Sequence, residues 1–290
     1  MGGSAAQGVG DDCARVRVRA GHELAVTTDG LMEGRHFLPD ADPRKLGHKS
    51  LAVNLSDLAA AAAAPRWFTL SVTLPLVDEA WLEAFCEGLY ALADAHGAEL
   101  IGGDTNRGPL RVIDITALGE VPEGQALSRA GARPGDDLWV SGALGGAALA
   151  LVHPELPGAA KRLHEPQPRV ALGQKLRGIA SAAIDLSDGL AGDLAHILER
   201  SGVGAVVRYA DVPKDDSFEK ISDSDLERRC VLSGGEDYEL LFTVPRGKRE
   251  QARALPDVSL IGEIVAGKAL EIVDEHGRPV PHGGGFDHFQ

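Results

Sequence analysis

In the first half of the chain, segments with the apolar pattern of a strand alternate with segments with the apolar periodicity of a helix. Runs of apolar and β-branched residues predict strands, and Pro75 stops one of these strands. The predicted strands cover residues 24–28, 67–75, 98–105 and 111–121. Helical periodicity lies between them, over residues 42–64 and 78–97. Asp42 and Pro43 are start signals for the first helix, and Gly97 is a C-cap signal for the second.

A stretch rich in Pro and Gly, residues 122–136, interrupts this alternation. The pattern starts again with an apolar segment at 137–151. Later strands are predicted at 204–209, 238–244 and 259–265. We therefore predict a two-domain protein of the α+β or α/β class, with domains over residues 1–125 and 126–290.

One short segment, AIDLSDGL at residues 183–190, combines a strand end, a tight turn and a helix start. An apolar run precedes it, and an amphipathic stretch follows it. Asp185 and Asp188 flank Ser187, and both Asp and Ser are ordinary N-cap residues. A helix cap needs one acceptor, whereas this turn supplies three. The excess predicts a further role for the carboxylates.

Composition narrows the class of protein. The chain has 290 residues, of which 44% are hydrophobic and 25% charged, as is typical of globular proteins. Its longest apolar run, Leu58 to Ala64, is far shorter than the roughly 20 residues of a membrane span. The formal net charge of −14 argues against a nucleic-acid partner. It does not argue against small phosphates, which acidic sites bind through metal ions.

The cysteines and the start of the chain indicate the cellular compartment of the protein. Cys13, Cys86 and Cys230 are far apart and form no C-x-x-C motif, so neither a disulfide framework nor a zinc site is predicted. No basic segment followed by an apolar run opens the chain, so we predict no secretory signal. These features favour a reduced, cytoplasmic protein with no membrane partner.

Acidic residues recur near the ends of apolar runs, each with a Gly, Ser or Thr within two residues. They are Asp11, Asp12, Asp29, Asp57, Asp104, Asp185, Asp188, Glu236 and Asp237. Each has a simple structural alternative: Asp–Gly pairs form turns, Asp57 could be a solvated helix residue, and Asp188 could be a cap. Converging carboxylates, however, repel one another unless cations lie between them. Because Mg²⁺ binds oxygen ligands together with substrate phosphates, the set predicts a Mg²⁺–phosphate site.

Other phosphate- and metal-binding motifs are absent from the sequence. It contains no H-E-x-x-H, no Cys cluster, no EF-hand spacing, no P-loop and no protein-kinase signature. The Gly-rich segment 141–149 could offer backbone N–H groups to an anion at a helix start, or it could be a turn with close helix packing. An ATP-handling protein with this sequence would use carboxylate–Mg²⁺ bridges in place of a lysine cradle.

Several longer stretches, in order and spacing, resemble the thiamine-monophosphate kinase family. They include GVGDDCA at 8–14, EGRHF at 33–37, DPRKLGHKSLAVNLSDLAA at 42–60, LIGGDTNRGPL at 100–110, AIDLSDGL at 183–190 and LSGGEDYELLFTVP at 232–245. With the final FDHF, the resemblance covers nearly the whole chain. The family belongs to a superfamily with the aminoimidazole-ribonucleotide synthetases, the selenophosphate synthetases and the hydrogenase-maturation dehydratases.

The resemblance implies ATP-dependent phosphorylation of thiamine monophosphate to thiamine diphosphate. It implies an N-terminal α/β domain that pairs into a homodimer, a C-terminal α/β domain of the aminoimidazole-ribonucleotide synthetase type, and an active site in the cleft between them. By position, the implied Mg²⁺ ligands are Asp12, Thr27, Thr28, Asp29, Asp57, Asp104, Asp185 and Asp188. The implied ATP contacts are Gly103, Asp104, Arg129 and Ser187. The implied contacts to thiamine monophosphate are His36, Glu236 and Phe286.

The implied chemistry suits a site rich in Asp. A phosphate monoester is mostly a dianion near neutral pH, because its second pKa is about 6, so it needs no strong general base. Metal ions and positioning bring the two anions together, and we predict direct in-line transfer without a catalytic side chain. Arg107 and Arg129 are candidate neutralisers of charge. Phe286 could stack on a pyrimidine, and Glu236 could accept from its exocyclic amine.

The chain departs from the family pattern in three places, and two alternative functions stay open. Only Met1 to Val9 precede the GDD stretch, Gly146 stands where the family often has Asp, and alanines replace a usual Met–Gly within residues 58–64. One alternative is a sister ATP-dependent synthetase, although the reactive Cys and Lys of the selenophosphate enzymes are missing from the N-terminal segment. The other is a non-catalytic protein that binds nucleotide or thiamine phosphate.

Overall fold

The computed structural model describes residues 5–283, and the chain divides into two compact units at Ala126 and Leu127. Each unit has its own sheet, and helices accompany both sheets. Over the range that the structure describes, no helix is both long enough and apolar enough to span a bilayer.

The first unit consists of a four-stranded sheet and two long helices. Its elements are β1 (His22–Met32), α1 (Pro43–Ala60), β2 (Ala64–Leu74), α2 (Glu79–His96), β3 (Glu99–Arg107) and β4 (Val112–Pro122). The strands lie in the order β1-β4-β2-β3. β4 runs antiparallel to β1 and β2, whereas β3 runs parallel to β2. α1 packs on β1 and β4, and α2 packs on α1.

The predicted start and stop signals of these helices are confirmed. Asp42 is the N-cap residue of α1, where its side chain accepts from two backbone N–H groups of the first turn, and Pro43 follows it. α2 ends before Gly97, which adopts the left-handed conformation with a φ of 65°. The start of α1 and the end of α2 therefore have causes that are visible in the sequence.

The end of α1 differs from the prediction, which extended the helix over 42–64. The helix stops at Ala60, Ala62 adopts a φ of 58°, and β2 already begins at Ala64. Ala64 pairs with β4, so tertiary strand pairing overrides the high helix propensity of alanine. The alanine run contains no residue that would mark this boundary.

The two faces of the first sheet differ in burial. On β4, Ile113 and Ile115 are buried on the face that α1 covers. Side chains alternate along strands, so Val26 and its β4 partner Leu118 lie on the opposite face. Val26 is 59% exposed there. This face, which we call the open face, is partly apolar.

The second unit surrounds a six-stranded sheet with short helices. Its elements are β5 (Asp137–Ser141), α3 (Gly146–Val152), α4 (Pro157–His164), α5 (Val170–Lys175), β6 (Ala182–Asp185), α6 (Leu190–Ser201), β7 (Gly204–Arg208), α7 (Ser224–Ser233), β8 (Leu240–Val244), α8 (Arg249–Arg253), β9 (Val258–Val265) and β10 (Leu270–Val273). The strand order is β10-β7-β9-β5-β8-β6. β10 pairs in parallel with β7, and the remaining pairings between these strands are antiparallel. The strands predicted at 204–209, 238–244 and 259–265 are therefore confirmed.

A buried ion network lies beside β8. Glu239 is only 1% exposed, and its carboxylate accepts two hydrogen bonds of 2.5 Å from Arg169. Arg162 Nη1 donates to it at 3.1 Å, and the Ser141 hydroxyl donates at 2.5 Å. A carboxylate buried at this depth needs such partners, because an unpaired buried charge is strongly destabilising.

Candidate active site

Hydrogen bonds join the middle of β1 to α1 at three of the predicted metal ligands. The Thr27 hydroxyl donates to a carboxylate oxygen of Asp57. The backbone N–H of Asp29 donates to Asn54 Oδ1 at 3.2 Å, and Asn54 is fully buried. Asp57 is half-buried, so it is not the solvated helix residue considered as an alternative. Thr27, Asp29 and Asp57 therefore lie where β1 faces α1.

Two further predicted ligands lie on the open face of the same sheet. Thr28 is on the face opposite to Asp29, because successive side chains of a strand alternate, and the hydroxyls of Thr28 and Thr116 are 2.7 Å apart. On β2, Ser71 lies two positions from the partner of Thr116, so the two β2 residues share the open face. Asp104 on β3 is in register with Ser71 and therefore lies on the same face. The first unit therefore divides its predicted ligands between two faces of the sheet.

The predicted ATP contacts of the first unit lie on β3. Gly103 and Asp104 are exposed, and Asp104 accepts from the next backbone N–H at 2.9 Å and from Asn106 Nδ2 at 2.7 Å. Arg107, a candidate neutraliser, ends the same strand and is also exposed. Along this strand, the backbone amide of Gly103, the carboxylate of Asp104 and the guanidinium group of Arg107 therefore follow one another.

Asp12 and His36 lie outside the regular elements of the first unit. Asp12 is exposed in a bend, where its N–H donates to Asp11 Oδ1 at 2.9 Å. His36 follows β1 in a tight loop, and its Nδ1 accepts from the Met32 N–H at 3.0 Å. The neutral imidazole therefore carries its proton on Nε2, which gives His36 a ring donor.

In the second unit, the turn after β6 carries the predicted ligands of AIDLSDGL. Asp185 is the buried last residue of β6, and Ser187 and Asp188 are half-buried. Gly189, with a φ of 101°, occupies the N-cap position of α6. The alternative interpretation of Asp188 as the N-cap residue is therefore wrong.

A second turn, residues 233–236, packs directly against the first. The N–H of Glu236 donates to the carbonyl oxygen of Ser187 at 2.9 Å. A Cβ atom at Gly235 would lie 2.2 Å from that same oxygen, and one at Gly189 would lie 2.8 Å from the Ser233 carbonyl carbon. Glycine at both positions therefore allows the two backbones to touch. Predicted contacts to nucleotide and to thiamine monophosphate are neighbours here.

Sequence reasoning missed one residue beneath these turns, Asp193. It is 3% exposed, and its Oδ2 accepts from the Asp188 N–H at 3.0 Å. The pKa of Asp193 is raised to about 7: burial is the main cause and the nearby Asp188 charge adds to it, while hydrogen bonds from the Asp188 and Ser187 N–H groups oppose the rise. The sequence does mark this residue, because Asp193 interrupts the apolar stripe of α6 formed by Leu190, Leu194 and Ile197.

Arg129 precedes β5 and is exposed. Its carbonyl oxygen accepts from the Ser201 hydroxyl at 3.1 Å, at the end of α6. Its charge is close enough to Asp193 to lower the pKa of that carboxyl group. The backbone of Arg129 therefore lies at the end of α6, while its charge acts on Asp193 in the first turn of that helix.

The Gly-rich segment is not an open anion site. It enters α3 as predicted, but the Gly145 N–H donates to both carboxylate oxygens of Asp237, at 3.1 and 2.9 Å. Burial raises the pKa of Asp237 to about 8. The protein's own carboxyl group therefore occupies the helix start.

The donor chemistry of the predicted ligands fits Mg²⁺. All of them supply carboxylate or hydroxyl oxygens, which this hard cation prefers. Within residues 5–283, no group of three or more His, Cys, Asp or Glu side chains is already arranged to hold a metal ion. Six of the predicted ligands belong to the first unit, and Asp185 and Asp188 belong to the second. Phe286 lies outside the described residues.

Comparisons with known proteins define the class and then the family. Models of the AIR synthase related protein match the chain over residues 10–121 for the N-terminal domain and 133–275 for the C-terminal domain. Thiamine-monophosphate kinase from Salmonella typhimurium is 46% identical, over 97% of this chain and 91% of its own length. The chain belongs to the thiamine-monophosphate kinase family.

Solved structures agree with this assignment. The crystal structure of thiamine-monophosphate kinase from Stenotrophomonas maltophilia K279a has a TM-score of 0.87 and 42% identity, covering 96% of this chain and 92% of its own. The structure of AaThiL complexed with AMPPCP and TMP has a TM-score of 0.82 and 31% identity, covering 93% and 89%. The predicted two-domain α/β fold of the aminoimidazole-ribonucleotide synthetase type is confirmed.

Proposed function

We propose that this protein transfers the terminal phosphate of ATP to thiamine monophosphate, forming thiamine diphosphate. The observation that carries the proposal is the hydrogen bond from the Glu236 N–H to the Ser187 carbonyl. It makes a residue assigned to thiamine monophosphate a direct neighbour of one assigned to ATP. The relative solved with AMPPCP and TMP supports the same pair of substrates.

We propose Asp12, Thr27, Thr28, Asp29, Asp57, Asp104, Asp185 and Asp188 as the residues that hold Mg²⁺. Bound Mg²⁺ would offset the negative charge of the ATP phosphates. The chain itself prepares several of these groups: the Thr27 hydroxyl orients Asp57, and Asn54 holds the Asp29 backbone. Gly103, Asp104, Arg129 and Ser187 complete the proposed ATP contacts.

The transfer needs positioning more than acid–base chemistry. The acceptor phosphate is already an anion, so no side chain has to remove a proton before attack. Arg129 would offset charge on the ATP phosphates, and the Ser187–Asp188 turn would orient them. We therefore propose a direct in-line transfer, without a phosphorylated protein intermediate.

The acceptor would be recognised by groups of opposite hydrogen-bonding character. His36 bears its ring proton on Nε2 and can donate to an oxygen of thiamine monophosphate. Glu236 can accept from the exocyclic amine of the pyrimidine. Phe286 supplies a flat apolar ring for stacking in this proposal.

We propose that the protein is a homodimer through the open face of the first sheet. Val26 and Leu118 pair there, and Val26 is 59% exposed. An exposed apolar surface of this kind marks an interaction site when it is continuous. We place the reaction in the cytoplasm, where ATP is available and where the three free cysteines stay reduced.

The function is tested by incubating the purified protein with Mg–ATP and thiamine monophosphate and measuring thiamine diphosphate. Formation of thiamine diphosphate and ADP in equal amounts is expected. Consumption of ATP without thiamine diphosphate would favour a sister synthetase. Tight binding of both ligands without turnover would favour the non-catalytic binding protein.

A further inference from the structure

Helix α6 contacts both segments of the second unit that the proposed function assigns to ATP. At its start, Asp193 accepts from the N–H of Asp188 at 3.0 Å. At its end, the Ser201 hydroxyl donates to the carbonyl oxygen of Arg129 at 3.1 Å. One helix therefore joins the Ser187–Asp188 turn and the Arg129 segment.

Asp193 occupies a position where an apolar side chain would be expected. Leu190 and Ile197 share its face of α6 and are buried, and Asp193 itself is 3% exposed. Burying a carboxyl group in such surroundings is unfavourable unless hydrogen bonds compensate for the lost water. The N–H groups of Ser187 and Asp188 supply those bonds. An apolar side chain would fill the space but would leave both N–H groups unsatisfied.

The turn is therefore held from two directions. The Asp193 carboxyl group accepts from the backbone N–H of Asp188, and the N–H of Glu236 donates to the carbonyl oxygen of Ser187. With both bonds present, the orientation of the Ser187 and Asp188 side chains is fixed by the backbone beneath them. Loss of the Asp193 bonds would free the N–H side while the Glu236 contact remained.

We propose that Asp193 is a positioning residue that holds the Ser187–Asp188 turn in the conformation that binds nucleotide. This inference rests on the proposed function, because that function assigns the turn to Mg–ATP. Asp193 does not touch the substrates in this proposal. It acts through the backbone of the turn, and the expected consequence is selective for the nucleotide.

The test compares Asp193→Ala, Asp193→Asn and Asp223→Ala in the full-length protein. Asp193→Ala removes both acceptors, whereas Asp193→Asn keeps one side-chain oxygen. Asp223 is a matched control, because its carboxylate also accepts from two backbone N–H groups, at the start of α7. Calorimetry measures binding of Mg–AMPPCP and of thiamine monophosphate, steady-state kinetics gives KM and kcat, and melting curves report folding.

We expect Asp193→Ala to weaken Mg–AMPPCP binding at least about tenfold, while thiamine monophosphate binding changes less than about twofold. KM for ATP rises in parallel. Asp193→Asn recovers most of the loss, and Asp223→Ala melts earlier but binds nucleotide like the wild type. Equal nucleotide binding by Asp193→Ala and the wild type would overturn the inference, as would an equal loss for both ligands.

A measurement on the wild type covers the case in which Asp193→Ala does not fold. The Asp188 amide should exchange its hydrogen slowly in the free protein, because Asp193 binds it; exchange at the rate of an unprotected amide would overturn the inference. Failure of the proposed function looks different. In that case the wild type makes no thiamine diphosphate and binds no Mg–AMPPCP, which overturns both proposals together.

Discussion

Acidic side chains in similar sequence settings have different partners in this structure. Asp188 and Asp237 both follow a Gly- or Ser-containing turn, yet Asp237 is buried against the Gly145 N–H, and Asp188 is half-buried at the turn before α6. Asp193 is buried beneath that turn. The sequence identifies the chemical type of each group, but burial and backbone partners decide which ones can reach a ligand.

At this scale, Glu236 tests substrate recognition. Glu236→Gln should raise KM for thiamine monophosphate about tenfold, because a hydrogen bond to a charged acceptor contributes about 1.5–3 kcal/mol and the amide is a weaker acceptor. KM for ATP should stay within about twofold. Steady-state kinetics measures both, with Glu271→Gln, at an exposed position of β10, as a control. An equal rise in both KM values would contradict the assignment.

Asp237 tests the effect of burial on proton binding. Its pKa is raised to about 8 in the folded protein, so the folded state holds a proton that the unfolded state releases at lower pH. The stabilisation is fully present below the unfolded pKa of about 3.9 and is lost as pH rises through about 8. Denaturant unfolding should therefore show wild type losing stability relative to Asp237→Asn across this window. A difference that does not change with pH would argue against a buried, neutral Asp237.

At the scale of the elements, local signals predicted helix ends well only where a residue marks them. Asp42 and Gly97 marked the start of α1 and the end of α2, and both were confirmed. The end of α1 was wrong, because Ala64 pairs with β4 and the pairing partner is distant in sequence. The contact between the turn after β6 and residues 233–236 could not be predicted either, because no local sequence pattern determines which turns contact each other.

The ion network beside β8 gives a prediction about stability. Arg169→Met leaves the buried Glu239 with fewer partners, and breaking a buried pair costs about 3–5 kcal/mol. Arg246→Met is a matched control, since the Arg246–Glu263 pair is exposed and such pairs contribute about 0–1 kcal/mol. Urea unfolding of the two variants should separate them clearly. Similar losses would show that the Glu239 network contributes no more than a surface pair.

At the scale of the whole molecule, the two-domain α/β class followed from the alternation of patterns and from the resemblance. The distribution of the predicted metal ligands over the two faces of the first sheet did not. Thr28 and Asp29 are adjacent in sequence yet lie on opposite faces of the first sheet, as strand geometry requires. The sequence therefore identifies candidate donors, whereas the face on which each one lies depends on strand register.

Assembly gives a prediction of its own. The wild type should have about twice the 30.4 kDa chain mass in light scattering, because the open face of the first sheet exposes apolar side chains such as Val26. Val26→Glu should shift the protein to the single-chain mass, since it places a charge in that face. Leu151→Glu, at an exposed apolar position of the second unit, should leave the mass unchanged. A wild type that runs as a single chain would contradict the proposed dimer.

A single-turnover experiment with ATP labelled in its γ-phosphate tests the central proposal most directly. The purified protein, in excess over labelled Mg–ATP, is mixed with thiamine monophosphate and quenched at successive times. We predict that label moves from ATP to the terminal phosphate of thiamine diphosphate in one step, with no labelled protein at any time. Absence of labelled thiamine diphosphate would contradict the proposed function, and label that appears first on the protein would contradict direct transfer.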